Sequence, residues 1–263
     1  MKSEQSLDWS RREFIKSSVA GGVTSMLLAG QIPAAEPARN APMPAKLKIV
    51  CVGGHPDDPE SGCAGTLARY ADLGHSVAVI YLTRGERGIR GKELEETAAI
   101  RTEEAKEACK LMGARAVFAG QIDGATEINK TRVEELSRLI AAEAPDVLFT
   151  HWPIDTHMDH QAASMLTFRS YLALSKKPQL AFFEVNTGSQ TEGFFPNTYV
   201  DISSVVERKK SALFAHKSQN GEAIWKQHHE IVANFRGREA GCKAAEAFVQ
   251  LNRAGNADRL PGL

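Results

Sequence analysis

His55-Pro56-Asp57-Asp58 sets one imidazole and two adjacent carboxylates between the pair Gly53-Gly54 and Pro59. Neighbouring carboxylates repel. The stretch is therefore either an exposed turn, which Pro and Asp favour, or a place where a cation is shared. A second cluster, His151-Trp152-Pro153-Ile154-Asp155-Thr156-His157-Met158-Asp159-His160, lies far along the chain. A helix beginning near Thr156 puts His157 and His160 on one face, since residues three apart are neighbours on a helix surface. Together the clusters offer nitrogen and oxygen donors and no thiolate. Two imidazoles with one carboxylate form a common ligand set of catalytic zinc, the fourth position being left to water. The other aspartate of the pair then stands beside that water as a base. Taken singly, each cluster also fits a solvated loop, and His228-His229, in a Lys- and Glu-rich context, is read as one.

The clusters can cooperate only if the fold brings them together. Residues 48–52, 76–82 and 146–150 are short apolar runs that read as buried strands, and 116–119 as a further one. Residues 62–73, 95–112 and 131–144 have helical spacing. Gly74 and Gly113 stop the first two; a Thr131/Glu134 capping box opens the third and Pro145 ends it. Downstream, 180–185 and 199–202 read as strands, and 203–218 and 230–251 as helices. Strands separated by single helices pair in parallel. The expected fold is therefore α/β, a Rossmann-like open, mostly parallel sheet flanked by helices. Ligands of such sheets sit outside the carboxyl ends of the strands, and both clusters directly follow a strand.

Composition narrows the function classes. The 263 residues are 43% hydrophobic and 24% charged with zero formal net charge, which speaks against a nucleic-acid partner. Four cysteines without a C-x-x-C pair read as free thiols, mostly buried. The first residues differ from the rest. Ser10-Arg11-Arg12-Glu13-Phe14-Ile15-Lys16 precedes a short uncharged run rich in Ala, Gly and Ser, a pattern that resembles a twin-arginine export signal. Residues 1–35 are read as that signal, 36–45 as a linker, 46–253 as one domain and 254–263 as a C-terminal tail. The apolar run is too short and too broken by glycine to span a bilayer. Expected consequences are passage through the twin-arginine export machinery and a periplasmic or extracellular location, with an uncleaved N-terminal anchor as the alternative.

His55-Pro56-Asp57-Asp58 and His157-Met158-Asp159-His160 match the HPDD and HxDH motifs of the PIG-L/LmbE-like deacetylases. Leu82-Thr83-Arg84-Gly85-Glu86, Asp123-Gly124, Ala215-His216-Lys217-Ser218-Gln219 and Ala245-Glu246-Ala247-Phe248 follow in the family's order. The chain resembles that family over residues 48–249. The resemblance implies a zinc-dependent hydrolase, one Zn2+ per chain with other divalent ions as alternatives, acting on an N-acetylated amino sugar or glycoconjugate. It implies His55, Asp58 and His160 as metal ligands and Asp57 as general base. His157 would protonate the leaving amine or stabilise the oxyanion, and Asp159 would orient a histidine. Arg84, Glu86 and Arg101, near the mouth of the site, are expected substrate contacts, with surface ion pairs as the alternative; Trp225 is the expected stacking residue. Two other functions stay open: an amidase on a bulkier thiol-conjugate or lipid-linked amide, and a sugar-binding protein without turnover. Asp57 and His157 argue against the latter, because binding needs neither base nor acid. Some members of the family are trimers or hexamers, so a homo-oligomer is a further expectation.

Overall fold

In the computed structural model of the protein, residues 46–251 and 260–263 are described, all within a compact unit spanning Pro44–Leu263. The expected export signal and linker lie outside the described residues. Strand and helix alternate from the start: β1 (Lys48–Gly53), α1 (Asp58–Asp72), β2 (Ser76–Thr83), α2 (Leu94–Met112), β3 (Arg115–Gln121), α3 (Lys130–Glu143), β4 (Val147–His151), α4 (Met158–Ala173) and β5 (Gln179–Phe183). The second half holds β6 (Thr198–Asp201), α5 (Val206–Phe214), a short α6 (Gly221–Ile224), a π-helical turn over Trp225–His229, α7 (Glu230–Ala240) and β7 (Ala245–Gln250). Among the described residues no helix is long and apolar enough to cross a membrane.

The seven strands form one sheet in the order β3-β2-β1-β4-β5-β7-β6. The first five are parallel, and β7 runs antiparallel to β5 and β6. Alternate residues of the central strands serve two cores. Ile49, Cys51, Val79 and Tyr81 face one layer; Val50, Val52, Ile80 and Leu82 face the other. This is the period of two that a strand buried on both faces requires. The strand order reverses between β1 and β4, so their carboxyl ends diverge around a crevice.

Two expectations need correction. The segment read as a helix over 230–251 breaks at Gly241, which takes φ 73, and resumes as β7. Residues 245–250 (AEAFVQ) are not strong strand formers in isolation; pairing with both β5 and β6 makes them a strand. The cap of α3 is Asn129, whose side chain accepts from the Arg132 amide at 3.0 Å, not Thr131. The last residues return to the body: Leu260 is buried and the Tyr70 hydroxyl donates to Pro261 O at 2.9 Å.

One irregularity shapes the region of interest. Helix α1 begins at Asp58, earlier than its apolar spacing suggests, and kinks at Cys63 (φ −149, ψ 15). A kink releases amides that the helix would otherwise satisfy. Glu246 of β7 takes up two of them, accepting from Gly65 N at 2.9 Å and Thr66 N at 2.7 Å. Lys209 of α5 lies against that carboxylate at 2.5 Å and donates to Ser61 O at 2.6 Å.

Candidate active site

At the end of β1 the chain turns tightly. A Cβ on Gly54 would lie 3.1 Å from Asp58 Oδ2 and 3.2 Å from His160 Cδ2. The turn lets the His55 amide donate to Asp58 Oδ2 at 2.7 Å, with His55 Nδ1 3.1 Å from the same oxygen. Next door, His151 ends β4 and accepts from the Gly54 amide at Nε2, 3.0 Å away. Asp155 then organises the start of α4. Its Oδ1 accepts from the His157 amide at 2.8 Å and lies 3.1 Å from His160 Nδ1; its Oδ2 accepts from Thr191 Oγ1 at 3.0 Å. His157 is the N-cap of α4, its Nδ1 accepting from the Asp159 amide at 3.2 Å. The His157 and His160 rings stack with centroids 4.7 Å apart.

Both clusters therefore meet at the crevice. Asp58 stands between the imidazoles, with Oδ1 3.1 Å from His160 Nε2 and Oδ2 3.4 Å from His151 Nε2. The far nitrogens are held from behind. His160 Nδ1 rests on Asp155, and His55 Nε2 lies 3.0 Å from Asp159 Oδ2 and 3.3 Å from Asp123 Oδ1. Asp159 is fixed in turn by the Gly124 amide at 2.7 Å and the Thr126 hydroxyl at 2.6 Å.

These contacts decide the charges. Burial opposes charge on His55 and His160, yet carboxylates outweigh it. His160 is pushed up to about 9 by Asp58 and Asp155, and His55 well above the usual imidazole range by Asp58, Asp123 and Asp159. His151 is pushed down to about 4 by burial and by His160, and His157 is lowered by burial, His55 and His160. Burial works against ionisation of Asp58, but His160, His151 and His55 hold its carboxyl well below the usual range.

The donor chemistry fits a divalent cation. Three sets of ligand atoms each lie within 4.8 Å of one another: His55, His157 and His160; His55, Asp123, His157 and Asp159; and Asp58, His151 and His160. The second nitrogens of His55 and His160 are already occupied by carboxylates, the arrangement that fixes the orientation and basicity of a metal-ligating imidazole. Nitrogen and oxygen donors without thiolate suit zinc and its divalent neighbours.

Asp57 is placed differently from its neighbour. Its backbone is left-handed at φ 111, a conformation that costs free energy unless the surroundings impose it. Glu60 Oε2 accepts from its amide at 3.2 Å. Arg101 Nη2 donates to Pro56 O at 2.5 Å and to Asp57 Oδ2 at 3.0 Å. Behind Glu60 stand the Tyr81 hydroxyl, 2.5 Å from Oε1, and His216 Nε2, 3.3 Å from the same oxygen. Burial raises the Asp57 carboxyl and Asp58 adds to the rise, against the pull of Arg101.

A cleft of about 500 Å³ opens over this cluster, lined among others by His55, Asp57, Asp58, Arg101, His157 and His160. Of the expected substrate contacts, Arg101 alone reaches the cleft, and its Nη1 and Nη2 already donate to Asp57 and two carbonyls, Pro56 O and Gly85 O. Arg84 pairs with Glu95 through two 2.8 Å bonds and with Glu86 at 3.2 Å. Glu86 is buried and accepts from the Asp123 amide at 3.0 Å. Polar groups that do face the cleft include Arg87, Asn186, Gln190 and Gln219. Trp225 is buried in the π-helical turn and is not among the cleft's lining. His229, read as part of a solvated loop, is buried there too.

The family described as "PIG-L: GlcNAc-PI de-N-acetylase" matches residues 50–171. Diacetylchitobiose deacetylase of Thermococcus kodakarensis is 30% identical over 228 residues, covering 80% of this chain and 85% of that protein. The chain belongs to the PIG-L family. Its fold agrees with that of N,N'-diacetylchitobiose deacetylase from Pyrococcus horikoshii, with a TM-score of 0.68 and 25% identity over 78% of this chain and 84% of that one. A 4-oxalmesaconate hydratase of Pseudomonas putida is also related, 27% identical over 77% of this chain and 84% of that protein. As a PIG-L chain it shares ancestry with deacetylases and with a hydratase.

Three groups of the site carry little signal of their own in the sequence. His151 was visible in the second cluster, and its place under Asp58 follows from ending β4. Asp155 accepts from the His157 amide just ahead of α4 and also holds His160. Asp123 carries no local spacing signal of its own; only the Asp123-Gly124 match pointed to it.

Proposed function

We propose that this protein is a zinc-dependent N-deacetylase acting on an N-acetylated amino sugar or glycoconjugate, with His55, Asp58 and His160 as the ligands. The divergence of the two adjacent aspartates carries the reading. Asp58 turns into the imidazoles, while Asp57 turns to the cleft with a raised carboxyl. A bound divalent ion supplies Lewis acidity and acidifies a water. Asp57, its position fixed by Arg101 and Glu60, would take the proton of the attacking water. His157, exposed to the cleft and held by its capping role, would pass to the departing amine the proton that Asp57 has taken. Asp159 keeps the His55 ring oriented, and Asp155 does so for His160. A cleft of about 500 Å³ suits a small saccharide, and Arg87, Asn186, Gln190 and Gln219 are its hydroxyl partners. The twin-arginine pattern at Arg11-Arg12 supports export to the periplasm or beyond.

Purified chain is assayed for metal by elemental analysis and for acetate released from diacetylchitobiose and N-acetylglucosamine. One divalent ion per chain with chelator-sensitive acetate release is the expected result. Asp57→Asn should keep the ion and lose roughly 10²–10⁴ in turnover, the usual share of a general base. Metal without acetate from any N-acetyl sugar would refute the deacetylase reading. Acetate is the deciding readout because a hydratase relative releases none.

A further inference from the structure

Two cysteines bracket the loop that carries the site. Cys51 lies within β1, Cys63 at the kink of α1, and His55, Asp57 and Asp58 fall between them. Their sulfurs are 3.3 Å apart and both residues are fully buried. The other two cysteines make different contacts: Cys109 Sγ lies 3.3 Å from the Tyr81 hydroxyl, and Cys242 Sγ 3.4 Å from Ala244 O. Cys63 is also the residue at which the backbone of α1 leaves the helical region. A bonded pair needs its sulfurs at about 2.05 Å, a little over an ångström closer than they stand.

We propose that Cys51 and Cys63 are a dithiol–disulfide couple whose oxidised form staples the loop holding His55, Asp57 and Asp58. The oxidant is a disulfide, either glutathione disulfide or an oxidised protein dithiol. One cysteine thiolate attacks it, giving a mixed disulfide and one free thiol. The second cysteine thiolate then displaces the other half as a second thiol. Two S–H bonds of the chain and the oxidant's S–S bond break, one S–S bond forms between Cys51 and Cys63, and two electrons and two protons leave with the reduced oxidant. Burial slows both steps in the closed protein, because a shielded thiol is neither ionised nor reachable. Exchange therefore takes place while β1 and α1 are still apart, and the finished bond is shielded from reductants afterwards. The staple closes a short loop in which Asp57 is strained, and so resists the relaxation of that residue.

The full chain is denatured, reduced, and refolded in a glutathione redox buffer. It is then alkylated, digested without reductant and mapped by mass spectrometry. A peptide pair joined through Cys51 and Cys63, lighter by two hydrogens, with Cys109 and Cys242 alkylated, is the expected map. The urea midpoint of that material should exceed that of the reduced form and fall back on adding dithiothreitol. Cys63→Ser should show neither link nor shift while keeping its bound metal. If refolding yields are low, the same map is made on soluble protein oxidised with diamide in sub-denaturing urea. Alkylation of both Cys51 and Cys63 in natively refolded, oxidised protein would overturn the proposal, as would a bond from either to Cys109 or Cys242.

Discussion

Two buried ionic clusters lie close together in this protein and are balanced in different ways. Behind α1, each carboxylate has a permanent cation. Glu246 meets Lys209 at 2.5 Å, and Glu184 meets Arg236 through bonds of 2.7 and 2.8 Å. In front of α1, the ion pairs of Asp58, Asp123, Asp155 and Asp159 are all with imidazoles among the described residues. An imidazole is a cation only when protonated. The rear cluster is electrically complete as folded. The front one keeps His55 and His160 protonated unless a metal ion replaces the protons. A buried carboxylate cluster that the chain leaves without lysine or arginine is thus the one that suits an external cation. Asp57, paired with Arg101, is the front carboxylate that already has a cation, which agrees with a place outside the ligand set.

The sharpest way to break this contrast is Asp58→Asn. It removes the carboxylate shared by three imidazoles, and loss of metal and activity should exceed the roughly 10–100-fold typical of outer partners. Full metal content in that variant, measured by elemental analysis, would mean that Asp58 is not what holds the ion. Next comes Lys209→Met, which leaves Glu246 buried without its cation. Breaking a buried pair from one side costs about 3–5 kcal/mol, read as a lower urea midpoint. Adding Glu246→Gln should return part of the loss, because the buried charge is then gone. A single-variant cost under about 1 kcal/mol would show that the rear cluster is not closed as described. The smallest effect concerns His229, pushed down to about 3 by burial and by Lys209. Its lowered value favours the neutral ring in the folded state, so its contribution is whole above about pH 6.5 and is lost as pH falls toward 3. Between pH 6.5 and 5.5 the native chain should lose about 1 kcal/mol more than His229→Gln in urea unfolding. Equal losses would place a protonated His229 in the fold.

The parallel half of the fold was legible because its strands are short apolar runs buried on both faces and its helices have clear stops. The antiparallel edge was not. β7 is a strand by virtue of its neighbours, with Phe248 opposite both Phe183 and Thr198, and nothing in AEAFVQ announces that. At the site, the adjacent carboxylates and the closely spaced histidines marked the chemistry. The support behind them was less legible: Asp123 and His216 stood out only through the motif matches, because their partners His55 and Glu60 lie far away in the chain. Arg84 and Glu86 stand in ion pairs and loop contacts, and a charged residue after a strand looks the same in sequence whether it faces a ligand or braces a loop.

The Glu246 bridge also has a meaning in time. Its two bonds to Gly65 and Thr66 span 181 and 180 residues, so the first helix cannot satisfy those amides until Glu246 has been synthesised. Contacts this distant in sequence form late and slow folding. The HPDD loop leaves the ribosome about 180 residues before the carboxylate that braces the helix behind it. During synthesis the half-made protein carries the HPDD motif without the strand that braces the helix behind it, and shortening the chain ahead of β7 should leave that loop unset even with every proposed metal ligand in place.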